Sequence, residues 1–128
     1  MSVQAVLKSD IPSVEAFNTL IIDSIQDIKG KNILKLDMRE LYDAPTDFFI
    51  ICEGDSNTQV RAIAENIRKR LKEEDGQLPV HIEGTHNSRW ICMDYFNTVV
   101  HVFYKETRNF YELEDLWSDA KFTEYGNL

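Results

Sequence analysis

The chain reads as one α/β (α+β) domain, a mixed five-stranded sheet flanked by helices, and three observations predict it. Its 128 residues match the common domain size of about 100–150 residues, with room for one core. Two apolar stripes at helical spacing alternate with short runs of strand period. A long strand–helix–strand crossover precedes a short hairpin, which puts parallel and antiparallel neighbours into one sheet.

Taken in order, Ser13 caps a helix from Val14 to Lys29, where Val14, Phe17, Ile21, Ile25 and Ile28 recur on one side. Gly30 reads as its stop. Ile33 to Met38 alternates Leu34, Leu36 and Met38 against Lys35 and Asp37, a half-exposed strand. After the loop Ala44-Pro45-Thr46, the run Phe48 to Cys52 is apolar on both faces and predicts a central strand. Glu53-Gly54-Asp55 turns into a second helix, with Ser56 and Gln59 as a capping box. Val60, Ile63, Ala64, Ile67 and Leu71 form its stripe, and Gly76 ends it. Val80 to Glu83 is then a strand parallel to the Phe48 strand. Trp90 to Asp94 and Thr98 to Tyr104 make an antiparallel hairpin on Tyr95-Phe96-Asn97. A last helix is expected from Arg108 to Trp117. The organisation is an N-terminal extension over 1–12, a domain over 13–120, and an acidic tail over 121–128 that should fray.

Strand alternation gives the hairpin two chemically different faces. Ile91, Met93, Val100 and Val102 suit packing beneath the two long helices. Trp90, Cys92, Val99, His101 and Phe103 make the other face aromatic, with Phe110 and Trp117 of the last helix as a partial cover. His101 reads as a half-buried structural histidine. Tyr95 and Phe96 at the tip have no obvious core to enter and predict a binding patch.

Composition narrows the function. Hydrophobic residues make up 43% and aromatics 11%, too many for a disordered chain. The net charge is −8 and the pI about 4.8, which argues against direct grip on nucleic-acid phosphates. The longest apolar run, Phe48 to Cys52, is far short of a membrane span. Cys52 and Cys92 form no CxxC pair and read as reduced core residues. The N-terminus lacks a signal-peptide or presequence pattern, so the cytoplasm is expected.

Catalytic chemistry is hard to assemble. Glu53-Gly54-Asp55-Ser56 between strand and helix invites comparison with nucleotidyltransferases, but no Asp-x-Asp follows Ser56 to hold two metal ions. Glu53, Asp55 and Glu83 are the acids left for such an enzyme. His81-x-Glu83-x-x-His86 fits no zinc spacing and reads as a solvent-facing or hydrogen-bonded group. No P-loop or GxGxxG occurs. The expectation is a protein that is not an enzyme, with no cofactor and no metal site.

Three ordered segments resemble the ribosomal silencing factors, also called the iojap family. They are Thr46 to Val60 (TDFFIICEGDSNTQV), the block with Glu83-Gly84, Trp90, Asp94-Tyr95 and Val99 to Phe103, and Glu106 to Trp117 (ETRNFYELEDLW). The resemblance implies a mixed-sheet fold distantly similar to nucleotidyltransferases without their catalytic carboxylates. It implies binding to the large ribosomal subunit through its fourteenth protein, steric block of subunit joining and lowered translation; organellar relatives assist large-subunit biogenesis. The family's contact residues carry over to Trp90, Asp94 and Tyr95, and Phe96 joins them from the tip patch. Little direct rRNA binding and no membrane partner are expected. This chain has Phe96-Asn97 where the family has Gly-Asp, so any left-handed position there falls to Asn97. The rival readings are a homodimer through the aromatic face or a large-subunit biogenesis factor, with a metal-dependent nucleotidyltransferase relative the lesser one.

Overall fold

Two serines start the two long helices. Ser13 Oγ accepts the Ala16 N–H at 2.9 Å and opens α1, Val14–Asp27. Ser56 Oγ accepts the Gln59 N–H at 3.1 Å and opens α2, Asn57–Asp75, which Gly76 closes in a left-handed conformation. At the end of α1, Lys29 rather than Gly30 takes the left-handed backbone, at φ +62°. The computed structural model describes residues 13–111 and 113–126; the extension over 1–12 lies outside the described residues.

Six strands complete the domain: β1 Lys31–Asp37, β2 Phe48–Gly54, β3 His81–Glu83, β4 Trp90–Asp94, β5 Thr98–Tyr104 and β6 Lys121–Tyr125. Two short helices, α3 Lys105–Tyr111 and α4 Leu113–Leu116, lie between β5 and β6. Helical residues in this segment run from Lys105 and end at Leu116, against the helix expected from Arg108 to Trp117. The sheet order is β3-β4-β5-β2-β1-β6. Among the described residues β2 and β5 pair in parallel, Phe48 opposite Thr98 and Gly54 opposite Tyr104; the other described neighbours are antiparallel.

β2 and β3 run in the same direction, as the crossover requires, but β4 and β5 stand between them. Composition accounts for this order. β5 is apolar on both faces and belongs in the middle, whereas β3, His-Ile-Glu, tolerates an edge. Among the described residues the sheet has six strands, not five. The sixth comes from the segment expected to fray: β6 pairs with β1 from Asp37–Lys121 to Ile33–Tyr125. Its side chains are almost all exposed, so backbone pairing with the open edge of β1 holds it there.

The two faces of the sheet divide the core. Ile50, Cys52, Ile91, Met93, Val100 and Val102 pack beneath Ile21 and Ile25 of α1 and Val60, Ile63, Ile67 and Leu71 of α2. On the opposite face Leu36, Phe49, Ile51 and Phe103 are covered by Leu41, Ala44, Leu113, Trp117 and Ala120. No helix among the described residues is long and apolar enough to cross a membrane.

Candidate partner interface

The second face is covered at one end and open at the other. Trp117 meets Phe49 edge to face, with ring centres 6.3 Å apart, and the side chain of Phe110 lies outside what is described. Phe49 in turn meets the His101 ring at 4.6 Å. Beyond His101 the cover given by the described residues ends. Trp90 is half-buried, its indole stacked on Phe103 at 4.9 Å and 25°. Its Nε1–H donates to His101 Nδ1 at 3.0 Å.

His101 itself is 5% exposed, fully inside rather than half-buried. Burial lowers its pKa to about 4, which keeps the imidazole neutral. Past Trp90, Cys92 and Asp94 of β4 stand opposite Glu83 and His81 of β3. His81 Nε2 and Glu83 Oε1 are 2.8 Å apart and exposed, so these two bond each other. Cys52 is buried and Cys92 half-buried, both free thiols. Desolvation raises Cys52 to about 12 and Cys92 to about 11.

At the hairpin tip the two aromatics part company. Tyr95 continues the alternation of Ile91 and Met93, so its ring enters the core under α1, 8% exposed. It meets Phe17 edge to face at 5.5 Å, and burial pushes its hydroxyl pKa upward. The expectation that Tyr95 lies on the surface is therefore corrected: it anchors the turn from below. Phe96 does the opposite and stands 78% exposed.

Phe96 rather than Asn97 carries the left-handed backbone of the turn, at φ +77°. Asn97 N–H donates to Tyr95 O at 3.0 Å across it, closing a γ-turn. A non-glycine residue in this region costs about 1–3 kcal/mol and persists only where its surroundings fix it. Three bonds do so here. Asp94 Oδ1 accepts the Phe96 N–H at 2.8 Å, Thr46 Oγ1 donates to Phe96 O at 2.9 Å, and Phe48 N–H donates to Asn97 O at 3.0 Å. The tip is a strained, braced mount for one exposed ring.

Two further exposed apolar residues precede the edge strand β3. Val80 is 71% and Leu78 57% exposed, and Val80 N–H donates to Asp94 O at 2.7 Å, which sets it beside the tip. The signal was available: a short polar edge strand has nowhere to bury such side chains.

On its other flank Trp90 walls a crevice of about 1030 Å³, with Asp55, Ser56, Arg89, Tyr104 and Glu106. Gly84 makes the close turn that brings Trp90 there. It has φ +90°, and a Cβ would fall 1.8 Å from Trp90 O. Glu53 and Asp55, the acids weighed for an enzyme, face different cations. Glu53 pairs with Arg108 at 3.2 Å and Asp55 with Lys31 at 2.6 Å. Among the described residues no group of three or more His, Cys, Asp or Glu is gathered as a metal site.

Comparison with known proteins gives a consistent result. A family profile described as ribosomal silencing factor during starvation matches residues 12–127. A ribosomal silencing factor of Halalkalibacterium halodurans is 38% identical over 101 residues, covering 79% of this chain and 85% of the relative. A mouse protein named for mitochondrial assembly of the ribosomal large subunit is 35% identical over 79 residues, covering 60% of this chain and 35% of the relative. The crystal structure of a protein from Chromobacterium violaceum superposes with a TM-score of 0.79 at 36% identity, covering 84% of this chain and 88% of that one. With both sequence and fold matched over most of its length, the chain belongs to the ribosomal silencing factor family.

Proposed function

We propose that this protein binds the large ribosomal subunit through its fourteenth protein and blocks joining of the small subunit by occupying the joining surface, which represses translation. The observation that carries the reading is the open end of the second sheet face. There Trp90, Asp94 and the exposed Phe96 surround a surface that no helix among the described residues covers. Family membership supplies the ribosome, and the large subunit is the assembly named in the mouse relative. Tyr95 serves this surface as support beneath the turn.

A net charge of −8 favours a basic ribosomal protein over exposed rRNA phosphates, and opposite charge speeds the encounter. The block is steric, with no chemical step. The test is gradient co-sedimentation with separated subunits, followed by light scattering of subunit joining. Comigration with the large subunit and slowed joining are expected. Comigration with the small subunit, or binding without any effect on joining, would overturn the reading.

A further inference from the structure

A histidine stands inside an apolar strand, where its polar ring needs a reason. Position 101 sits in Val99-Val100-His101-Val102-Phe103 on the central strand β5, and its Nε2 is buried without a hydrogen bond. A phenylalanine would fill the same space among Phe49, Trp90 and Phe103 with no orphaned polar atom. The other ring nitrogen accounts for the histidine. An indole N–H only donates, so the Trp90 Nε1–H···Nδ1 contact at 3.0 Å makes Nδ1 the acceptor and puts the ring proton on Nε2.

We infer that His101 is a positioning residue of the partner-binding face: as the Nε2–H tautomer it fixes the angle at which the Trp90 indole meets the partner. The inference rests on the reading of Trp90 as an interface residue. Trp90 and His101 are diagonal neighbours on β4 and β5, since Trp90 pairs with Phe103 and Cys92 with His101. Phe103 supports one face of the indole by stacking, but stacking alone lets the ring slide and turn in its plane. The crevice on the Trp90 flank leaves room for that movement. An acceptor at Nδ1 removes it, so the ring is ordered before binding and less freedom is lost on contact. A carboxylate at this depth would bring a buried charge, whereas neutral imidazole accepts without one. The low pKa of the buried ring keeps that acceptor unprotonated through neutral pH.

The experiment uses the full chain. In the wild type, a scalar coupling across the N–H···N bond between Trp90 Nε1 and His101 Nδ1 is expected by NMR, the two indole signals being assigned with Trp117→Phe. His101→Phe keeps the ring and deletes the acceptor. It should speed solvent exchange of the Trp90 indole proton and weaken binding to purified large subunits about tenfold. His101→Asn returns an acceptor near Nδ1 and should recover most of that loss. Absence of the coupling overturns the inference, as does full affinity in a folded His101→Phe protein, or a His101→Asn protein no better than His101→Phe. Should His101→Phe fail to fold, the wild-type coupling and His101→Asn decide. Full affinity in Trp90→Ala with the wild-type coupling present sinks Trp90 as an interface residue and the positioning role with it, but leaves the bond itself standing.

Discussion

The Arg108 guanidinium lies 3.2 Å from Glu53 Oε1, and both side chains are largely buried. The same guanidinium donates to Asn32 O at 2.5 Å and pairs with Glu114 at 3.0 Å. One cation thus ties the ends of β1 and β2 to α3 and α4. Removing one partner of a buried network strands the others, so Arg108→Ala should destabilise the protein by about 3 kcal/mol or more. Arg108→Lys should recover little, because an ammonium cannot reproduce the fork. Urea denaturation measures both.

Gln59 joins the two long helices. Its Oε1 accepts the Asp55 N–H at 2.6 Å, while Nε2 donates to Ile28 O at 3.0 Å and Lys29 O at 3.1 Å. Gln59→Ala should cost about 2 kcal/mol, since the end of α1 and the start of α2 both lose a cap. Gln59→Glu should cost at least as much, because it sets a carboxylate against those two carbonyls. Thermal melts at neutral pH compare them.

Phe96 separates stability from binding. Phe96→Gly relieves the positive φ and should leave the fold as stable or up to about 1 kcal/mol more stable. It should nevertheless weaken large-subunit binding. Loss of both together would show that the ring supports the fold.

His101 sets an acid limit. Its pKa falls from the ordinary 6.5 to about 4 on folding, so the unfolded chain binds the proton more readily. Its contribution is complete above about pH 6.5 and is lost as pH falls toward 4, by roughly 3 kcal/mol in all. Lowered carboxylates such as Asp37 and Asp55 act in a more acidic window. Stability against pH for wild type and His101→Phe should therefore diverge between pH 6.5 and 4, with the variant flatter.

Trp90→Ala should weaken large-subunit binding by about 2 kcal/mol or more. A melting temperature measured alongside keeps the result readable, because the indole also packs on Phe103.

What was legible in the sequence followed from local chemistry. The caps at Ser13 and Ser56, the stripe of α2 and the two-faced hairpin each rest on residues a few positions apart. β6 was hidden because nearly all its side chains face water, leaving no burial pattern to read. Tyr95 shares the parity of Ile91 and Met93, which sends its ring toward the helices rather than to the surface. The left-handed Phe96 could not be read from residue type, which favours Asn97. It follows from bonds to Asp94, Thr46 and Phe48, two of them on another strand or loop. At the candidate site, Trp90 and His101 follow from the hairpin alternation and Asp94 from the resemblance, whereas the depth of His101 and the exposure of Val80 needed the fold.

The bracing of the tip also constrains the order of events in folding. The β4–β5 hairpin forms from neighbouring residues, but its turn is fastened by Thr46 and Phe48, which reach it only when the hairpin docks beside β2. A detached hairpin lacks those fastenings and has no reason to hold Phe96 in a left-handed state. The presenting surface is thus a late product, complete only when the central parallel pair has closed. On the proposed binding role of this face, partner occupancy counts fully folded molecules, and a bound partner draws the chain toward that state by mass action.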